Sequence, residues 1–198
     1  MNELQRAAIN EHLLIERSAE YKSEKFGSKV QQMSDVPVTH HDIKTNLMCL
    51  LRSPCKGTDY QVLTQMRVLC PNGDVYYPDL LIMRRDDGQY FDTERDTLLN
   101  PVAVIEIATI ETHNTDRVIK RDGYSRVPSL ELYILIDLYG RATTFQRIPE
   151  QIPWRIRNVR PGGQFEFPCL PASIPHEAVF DEVTPFNLET WLGRNNLV

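Results

Sequence analysis

Two stretches of the chain are apolar almost without interruption. Val102–Ala108 is broken only by Glu106, and Leu132–Ile136 is not broken at all. Runs of this length predict strands, and strands that are continuously apolar rather than alternating predict a sheet covered on both faces. Between them Thr115–Arg126 has helical character. Strand, helix and strand within about 36 residues make a βαβ-type crossover. Upstream, residues 1–21 predict a charged helix with Leu4, Ala8, Leu13 and Leu14 apolar, and Val30–Met33 predicts a short strand. Pro37 ends that segment. Thr39 is placed to cap a helix running through Arg52, with Ile43, Leu47, Leu50 and Leu51 as its apolar stripe. Tyr60–Cys70 and Val75–Met83 predict two strands joined by the turn Pro71-Asn72-Gly73-Asp74. A polar loop runs from Arg84 to about Asn100. Ala142–Arg147 and Trp154–Asn158 predict outer strands, and the proline-rich end of the chain closes on a short segment at Leu188–Leu192.

With 198 residues, 41% of them hydrophobic and 25% charged, the chain has the composition of one globular domain. It divides into an N-terminal helix (1–21), a core (22–147) and C-terminal strands with a tail (148–198). No apolar run approaches the roughly 18–20 residues of a membrane helix, and the first residues lack the apolar core of a signal peptide. The expectation is a cytoplasmic protein without a membrane partner. The net charge of −5 excludes a broad basic surface for coating nucleic acid but leaves room for a local basic cleft. Cys49, Cys55, Cys70 and Cys169 form no C-x-x-C pair, which argues against a zinc site or a disulfide framework.

Two carboxylates stand where carboxylates are costly: Asp79 in Tyr76–Met83 and Glu106 in Val104–Ala108. Singly, each is best read as a strand-end residue or an arginine partner. As a pair in neighbouring elements they point to a divalent cation, which removes the penalty of burying them. Asp116, Lys120 and Tyr124, spaced i, i+4 and i+8, share roughly one helix face, flanked by Arg117 and Arg121. An ordinary surface ion pair between Asp116 and Lys120 is the competing explanation. His40-His41 is a poor metal clamp, because adjacent side chains diverge, and fits capping or surface roles. Trp154, Trp191, Phe165 and Phe167 fit a core. Arg155, Arg157 and Arg160 flank Ile156 on an edge strand, as a phosphate-facing strip or as charges that block edge pairing.

In order, the chain carries Glu24, Met33-Ser34, His40, Tyr77-Pro78-Asp79, Asn100-Pro101, Val104-Ile105-Glu106-Ile107, Thr112, Asp116, Arg117, Lys120, Tyr124, Pro128-Ser129-Leu130, Tyr133 and Asp137. This pattern resembles the Uma-two family of putative restriction endonucleases within the PD-(D/E)XK superfamily. The resemblance implies a mixed α/β fold, a restriction-endonuclease-like mixed sheet flanked by helices. It implies Asp79 and Glu106 as metal ligands, joined by the carbonyl of Ile107, and Lys120 as the catalytic lysine. The superfamily's usual lysine position, two residues after the acid, is Ala108 here, so the lysine resembles one moved onto the next helix. Glu24 resembles the family's extra N-terminal acid. Two departures stand out. Thr109-Ile110-Glu111-Thr112 replaces Ser-Pro-Ser-Thr, with Thr109 able to supply the serine hydroxyl, and Gly27-Ser28 replaces Asp-Gly.

These implications set the expectations: magnesium- or manganese-dependent hydrolysis of phosphodiester bonds in DNA, with Asp79, Glu106 and Lys120 catalytic. Glu24, Asp116, Tyr124 and Thr109 would support them. Arg84, Arg85, Arg117 and Arg121 are the expected DNA contacts, and a homodimer is the expected assembly, since similar nucleases that cut both strands often dimerise. The competing expectation is a non-catalytic dimeric binding module that keeps the nuclease fold.

Overall fold

The computed structural model describes residues 2–148 and 154–190. Helix α1 (Glu3–Ser18) opens with a capping box: Asn2 Oδ1 accepts from Gln5 N at 2.9 Å, and Gln5 Oε1 accepts from Asn2 N at 3.1 Å. A hairpin follows, β1 (Ser23–Phe26) and β2 (Lys29–Gln32). Its turn places Gly27 at φ 58°, a conformation that glycine adopts without steric cost. Helix α2 (Val38–Cys55) begins two residues earlier than its sequence predicts, with Pro37 and not Thr39 at the N-cap, and has no side-chain cap. Thr39 lies inside it, and its hydroxyl donates to the Thr184 carbonyl at 2.7 Å.

The two long strands expected at Tyr60–Cys70 and Val75–Met83 are each broken in two. The first becomes β3 (Tyr60–Leu63) and β4 (Arg67–Leu69), separated where Gln65 takes φ 59°. The second becomes β5 (Val75–Tyr76) and β6 (Leu80–Arg84). Pro78 lies in that break and has no N–H to continue a ladder. The breaks let one hairpin serve two sheets, β4 and β5 in one and β3 and β6 in the other. The polar loop after Arg84 contains a short strand, β7 (Thr97–Leu98), which pairs parallel to β4.

The larger sheet has the order β11-β10-β9-β8-β6-β3. Its centre is β8 (Ala103–Ala108) beside β9 (Leu132–Asp137), paired in parallel with Glu106 opposite Leu135. Between them lie a π-helical segment, Thr115–Lys120, and α3 (Arg121–Ser125), the expected crossover. Strands β10 (Ala142–Gln146) and β11 (Arg155–Val159) complete the sheet by antiparallel pairing. Every residue of β8 and β9 is buried, because both faces are covered. Alternate β8 side chains, Ala103, Ile105 and Ile107, pack under Ile43, Leu47 and Leu51 of α2. Val104 and Ala108 pack on the other face with Tyr124, Val127 and Tyr76. Each buried aliphatic side chain of this size contributes roughly 1.5–3 kcal/mol of transfer free energy.

The C-terminal β12 (Gln164–Glu166), β13 (Ser173–Pro175) and α4 (His176–Val179) close over the α2 face through Phe165, Phe167 and Ile174. Trp154 is half-buried under the Arg147 guanidinium. Of the expected segment at Leu188–Leu192, residues 188–190 are helical, and the rest, with Trp191, lies outside the described residues. Among the described residues no helix is long and apolar enough to cross a membrane.

Gly123 fixes how closely α3 approaches the smaller sheet. A Cβ there would stand 2.7 Å from Tyr76 Oη and 2.8 Å from its ring. That ring is fully buried, and its hydroxyl donates to Asp74 Oδ2 at 2.6 Å, so it cannot move aside. Alanine would favour a helix by about 1 kcal/mol, but the overlap outweighs this. Gly123→Ala should destabilise the protein by about 1–3 kcal/mol, read as a lower melting temperature. An unchanged or higher value would mean that the contact is not tight.

Candidate active site

Strands β6 and β8 pair antiparallel with Leu80 opposite Ile105, so the residue before β6, Asp79, comes to the level of Glu106. The β6 ladder has ended there, and the Asp79 carboxylate takes over, its Oδ2 accepting from Ile107 N at 2.9 Å. Helix α2 supplies two further partners. His40 Nε2 lies 3.1 Å from Asp79 Oδ1, and Lys44 Nζ lies 3.2 Å from the same oxygen. Burial by itself would raise the Asp79 carboxyl, but the His40 contact, the Lys44 charge and the Ile107 N–H together hold it below the usual range. Asp79 is therefore ionised at neutral pH.

Glu106 lies on the opposite face of β8 from Ile107, under the crossover helix. Its Oε1 accepts from Tyr124 Oη at 2.9 Å and from Lys120 Nζ at 3.3 Å. Lys120 also reaches Glu24 Oε1 at 2.9 Å and lies 3.1 Å from Asp116 Oδ1. This last ion pair lacks hydrogen-bond alignment and leaves Asp116 Oδ1 buried with no hydrogen-bond partner. Glu24 is fixed from β1 by Tyr77 N at 2.8 Å. The π turn helps the alignment. A step of four residues overshoots one turn of an α-helix, at about 3.6 residues per turn, and undershoots the wider π turn. Asp116 to Lys120 spans π and Lys120 to Tyr124 spans α, so the two drifts offset. Thr109 and Thr112 exchange backbone-to-hydroxyl bonds of 3.1 and 3.3 Å, which closes the turn entering this helix.

Three buried acids thus face one ammonium. Burial raises the Glu106 carboxyl well above its usual range; Lys120 opposes that, and the charges of Asp116, Glu24 and Asp79 reinforce it. Burial likewise raises Glu24 against the pull of Lys120. For Lys120, burial alone would favour the neutral amine, but Glu106, Glu24 and Asp116 reverse it and hold the pKa well above the usual lysine value. Lys120 is an ammonium at neutral pH and cannot accept a proton. The Tyr124 hydroxyl is also pushed up, by burial and then by Glu106 and Glu24, so it stays a donor.

Asp79, Glu106, Glu24, Asp116, Lys44 and Lys120 all line one pocket of about 190 Å³. When ionised, these four carboxylates exceed the two ammoniums by two negative charges, and the exposed Asp35, which also lines the pocket, adds a third. Among the described residues no three His, Cys, Asp or Glu side chains are arranged to close on an ion. The donor set is that of a site with two carboxylates and a carbonyl, completed by water, which suits magnesium or manganese. The charge excess and the orphaned Asp116 oxygen fit that group.

The expected residues separate into two sets. Asp79, Glu106, Ile107, Lys120, Glu24, Asp116 and Thr109 converge on the pocket, with Tyr124 behind Glu106. Ala108 packs with Tyr124 and Tyr133, and Lys120 reaches Glu106 from the helix instead. The arginines do not converge. Arg84 and Arg85 lie at the far end of β6, Arg84 over the Tyr60 ring and Arg85 against Gln61. Arg121 lies over Phe145, and Arg117 lines a different pocket. Physically, a five-residue strand carries Arg84 away from Asp79 however close they are in sequence. Asp122 is taken by Arg126. The residues that sequence reasoning undervalued are His40 and Lys44. Their i, i+4 spacing on α2 was the available signal.

A family model described as a putative restriction endonuclease, Uma2, matches residues 9–175, and the chain belongs to that family. An uncharacterized protein of Synechocystis sp., sll1609, is 24% identical over 144 residues, 71% of this chain and 81% of the relative. The crystal structure of a putative nuclease belonging to DUF820, from Anabaena variabilis, superposes with a TM-score of 0.71. It covers 89% of this chain and 98% of that one at 15% identity, a likeness of fold. The mixed sheet flanked by helices is therefore that of a nuclease-like fold.

The pKa directions set a stability test. Glu106 and Glu24 lie above their ordinary values, so their contribution is complete below about pH 4.5 and is lost as pH rises through the raised values. Asp79 runs the other way, contributing above its ordinary value and losing it as pH falls through the lowered one. Glu106→Gln mimics the protonated carboxyl and leaves Lys120 paired to Glu24 and Asp116. With chelator present it should melt a few degrees above the parent at pH 8, the gap closing toward pH 4.5. A gap that ignores pH, or a lower melting temperature at pH 8, contradicts the account of these charges.

Proposed function

We propose that the chain is a divalent-metal-dependent endonuclease acting on the phosphodiester bonds of DNA. The observation that carries this reading is the convergence of Asp79, Glu106 and Lys120 on one pocket, in a member of a family described as putative restriction endonucleases. Asp79, Glu106 and the Ile107 carbonyl would hold magnesium or manganese. When bound, the ion supplies Lewis-acid polarisation of a phosphoryl oxygen and an acidified water.

The rest is the work of the chain's own groups. Lys120, permanently charged, stabilises the negative charge that builds on the phosphoryl oxygens and orients the attacking water as a donor. Glu24 and Asp116 position Lys120, and Tyr124 positions Glu106. His40 and Lys44 hold Asp79 ionised and in place.

Asp79→Asn keeps an acceptor for Ile107 N but loses the charge. It should abolish magnesium or manganese binding in calorimetric titration and abolish plasmid cleavage, while the fold persists. Equal ion binding by parent and variant would remove Asp79 from the site. Lys120→Ala should lower turnover by about 10²–10³-fold and retain ion binding. Unchanged turnover would make the lysine structural. DNA binding with no turnover in either ion would favour the non-catalytic module.

A further inference from the structure

The pocket that holds the acids is the first of three neighbouring pockets near the C-terminal ends of β8 and β9. Thr109 lines both it and a neighbouring pocket of about 220 Å³. His113, Asp137 and Arg141 line that neighbour and also a third pocket, of about 360 Å³. Shared lining residues therefore set the three side by side in a row. The C-terminal edge of parallel strands is where open α/β sheets take their ligands.

The far pocket has the opposite charge to the near one. Arg117, Arg141, Arg160 and His113 line it against one carboxylate, Asp137. That carboxylate is satisfied within its own turn, accepting from Tyr139 N and Arg141 N at 2.9 Å each and from the Arg141 guanidinium. The three arginines and one aspartate leave two positive charges, in a chain whose net charge is −5. Thr143 Oγ1 donates to Asn158 Oδ1 at 3.1 Å, which leaves the Asn158 amide nitrogen as a further donor. Guanidinium forks and amide donors around one cavity match the oxygens of a phosphate. Arg117 and Lys120 share the crossover segment, so the basic pocket and the charge-stabilising ammonium are set at a fixed offset.

We propose that this row of pockets carries the substrate strand, with the reacting phosphate at the acidic pocket and another phosphate of the same DNA strand held by Arg117, Arg141 and Arg160. The proposal takes the nuclease reading as its starting point and assigns a backbone subsite to it. Contacts of this kind set register and affinity without reading sequence.

Fluorescence anisotropy of a labelled duplex, with calcium to support binding and a salt series, tests it. Arg117 and Arg160 are exposed, so their removal spares the core. The double variant Arg117→Ala/Arg160→Ala should bind about tenfold more weakly and should reduce the log–log salt slope by about two. Arg84→Ala/Arg85→Ala, at the far end of β6, should keep the parent slope. No binding by the parent, an unchanged slope in the first variant, or an equal loss in both overturns the subsite. Plasmid cleavage in magnesium separates the two readings. Cleavage with a slope indifferent to Arg117 and Arg160 sinks the subsite alone, and arginine-dependent binding with no cleavage sinks the nuclease alone.

Discussion

The ammonium of Lys120 ties together parts of the chain that have no other reason to meet. It lies 2.9 Å from Glu24 on β1, 3.3 Å from Glu106 on β8 and 3.1 Å from Asp116 on its own helix. The smaller sheet, the larger sheet and the crossover thus share one buried ion cluster. Withdrawing a partner from a buried pair costs about 3–5 kcal/mol, because the remaining charge stays desolvated. Here the remainder would be three acids rather than one, so the position of Lys120 governs the whole cluster. A small feature elsewhere serves that position: the absent Cβ of Gly123 lets α3 approach.

The cluster is not built for stability. Three carboxylates on one lysine leave two charges uncompensated when all are ionised, and the raised Glu106 and Glu24 carboxyls express that cost. A well-packed apolar group in place of Glu106 would serve β8 better, since the other five residues of that strand are aliphatic. Sites that spend stability in this way commonly do so for function. Asp79 stands apart electrostatically. Held low by His40 and Lys44, it is an ionised donor ready at neutral pH, while burial pushes the Glu106 carboxyl up. Two neighbouring acids are thus shifted in opposite directions by what covers each face of the sheet.

Much of the larger sheet was legible along the chain. Continuous apolar runs at Val102–Ala108 and Leu132–Ile136 can be stable only when both faces are covered, so the parallel pair and its crossover follow from the pattern. Glu106 was conspicuous for the same reason, as the only charge in such a run. The broken strands were not legible, because a turn such as Gln65 and a non-donating Pro78 interrupt a ladder without interrupting hydrophobicity. The charge on the Arg117–Arg160 pocket was equally hidden, since 43 positions of chain separate its two outer arginines.

The sequence by itself determined which groups can do chemistry: two acids in apolar surroundings and a lysine spaced from an aspartate by one helical step. Local patterning carries that information because burying a charge is costly wherever it occurs. Only the tertiary structure decided which of these groups meet. It brought Glu24 from a distant hairpin onto Lys120, placed His40 and Lys44 on Asp79, and sent Arg84 and Arg85 to the far end of β6. Those outcomes depend on strand register, on the length of a strand and on how closely a helix can approach a sheet. Each is set by packing between elements, and no window of neighbouring residues contains it.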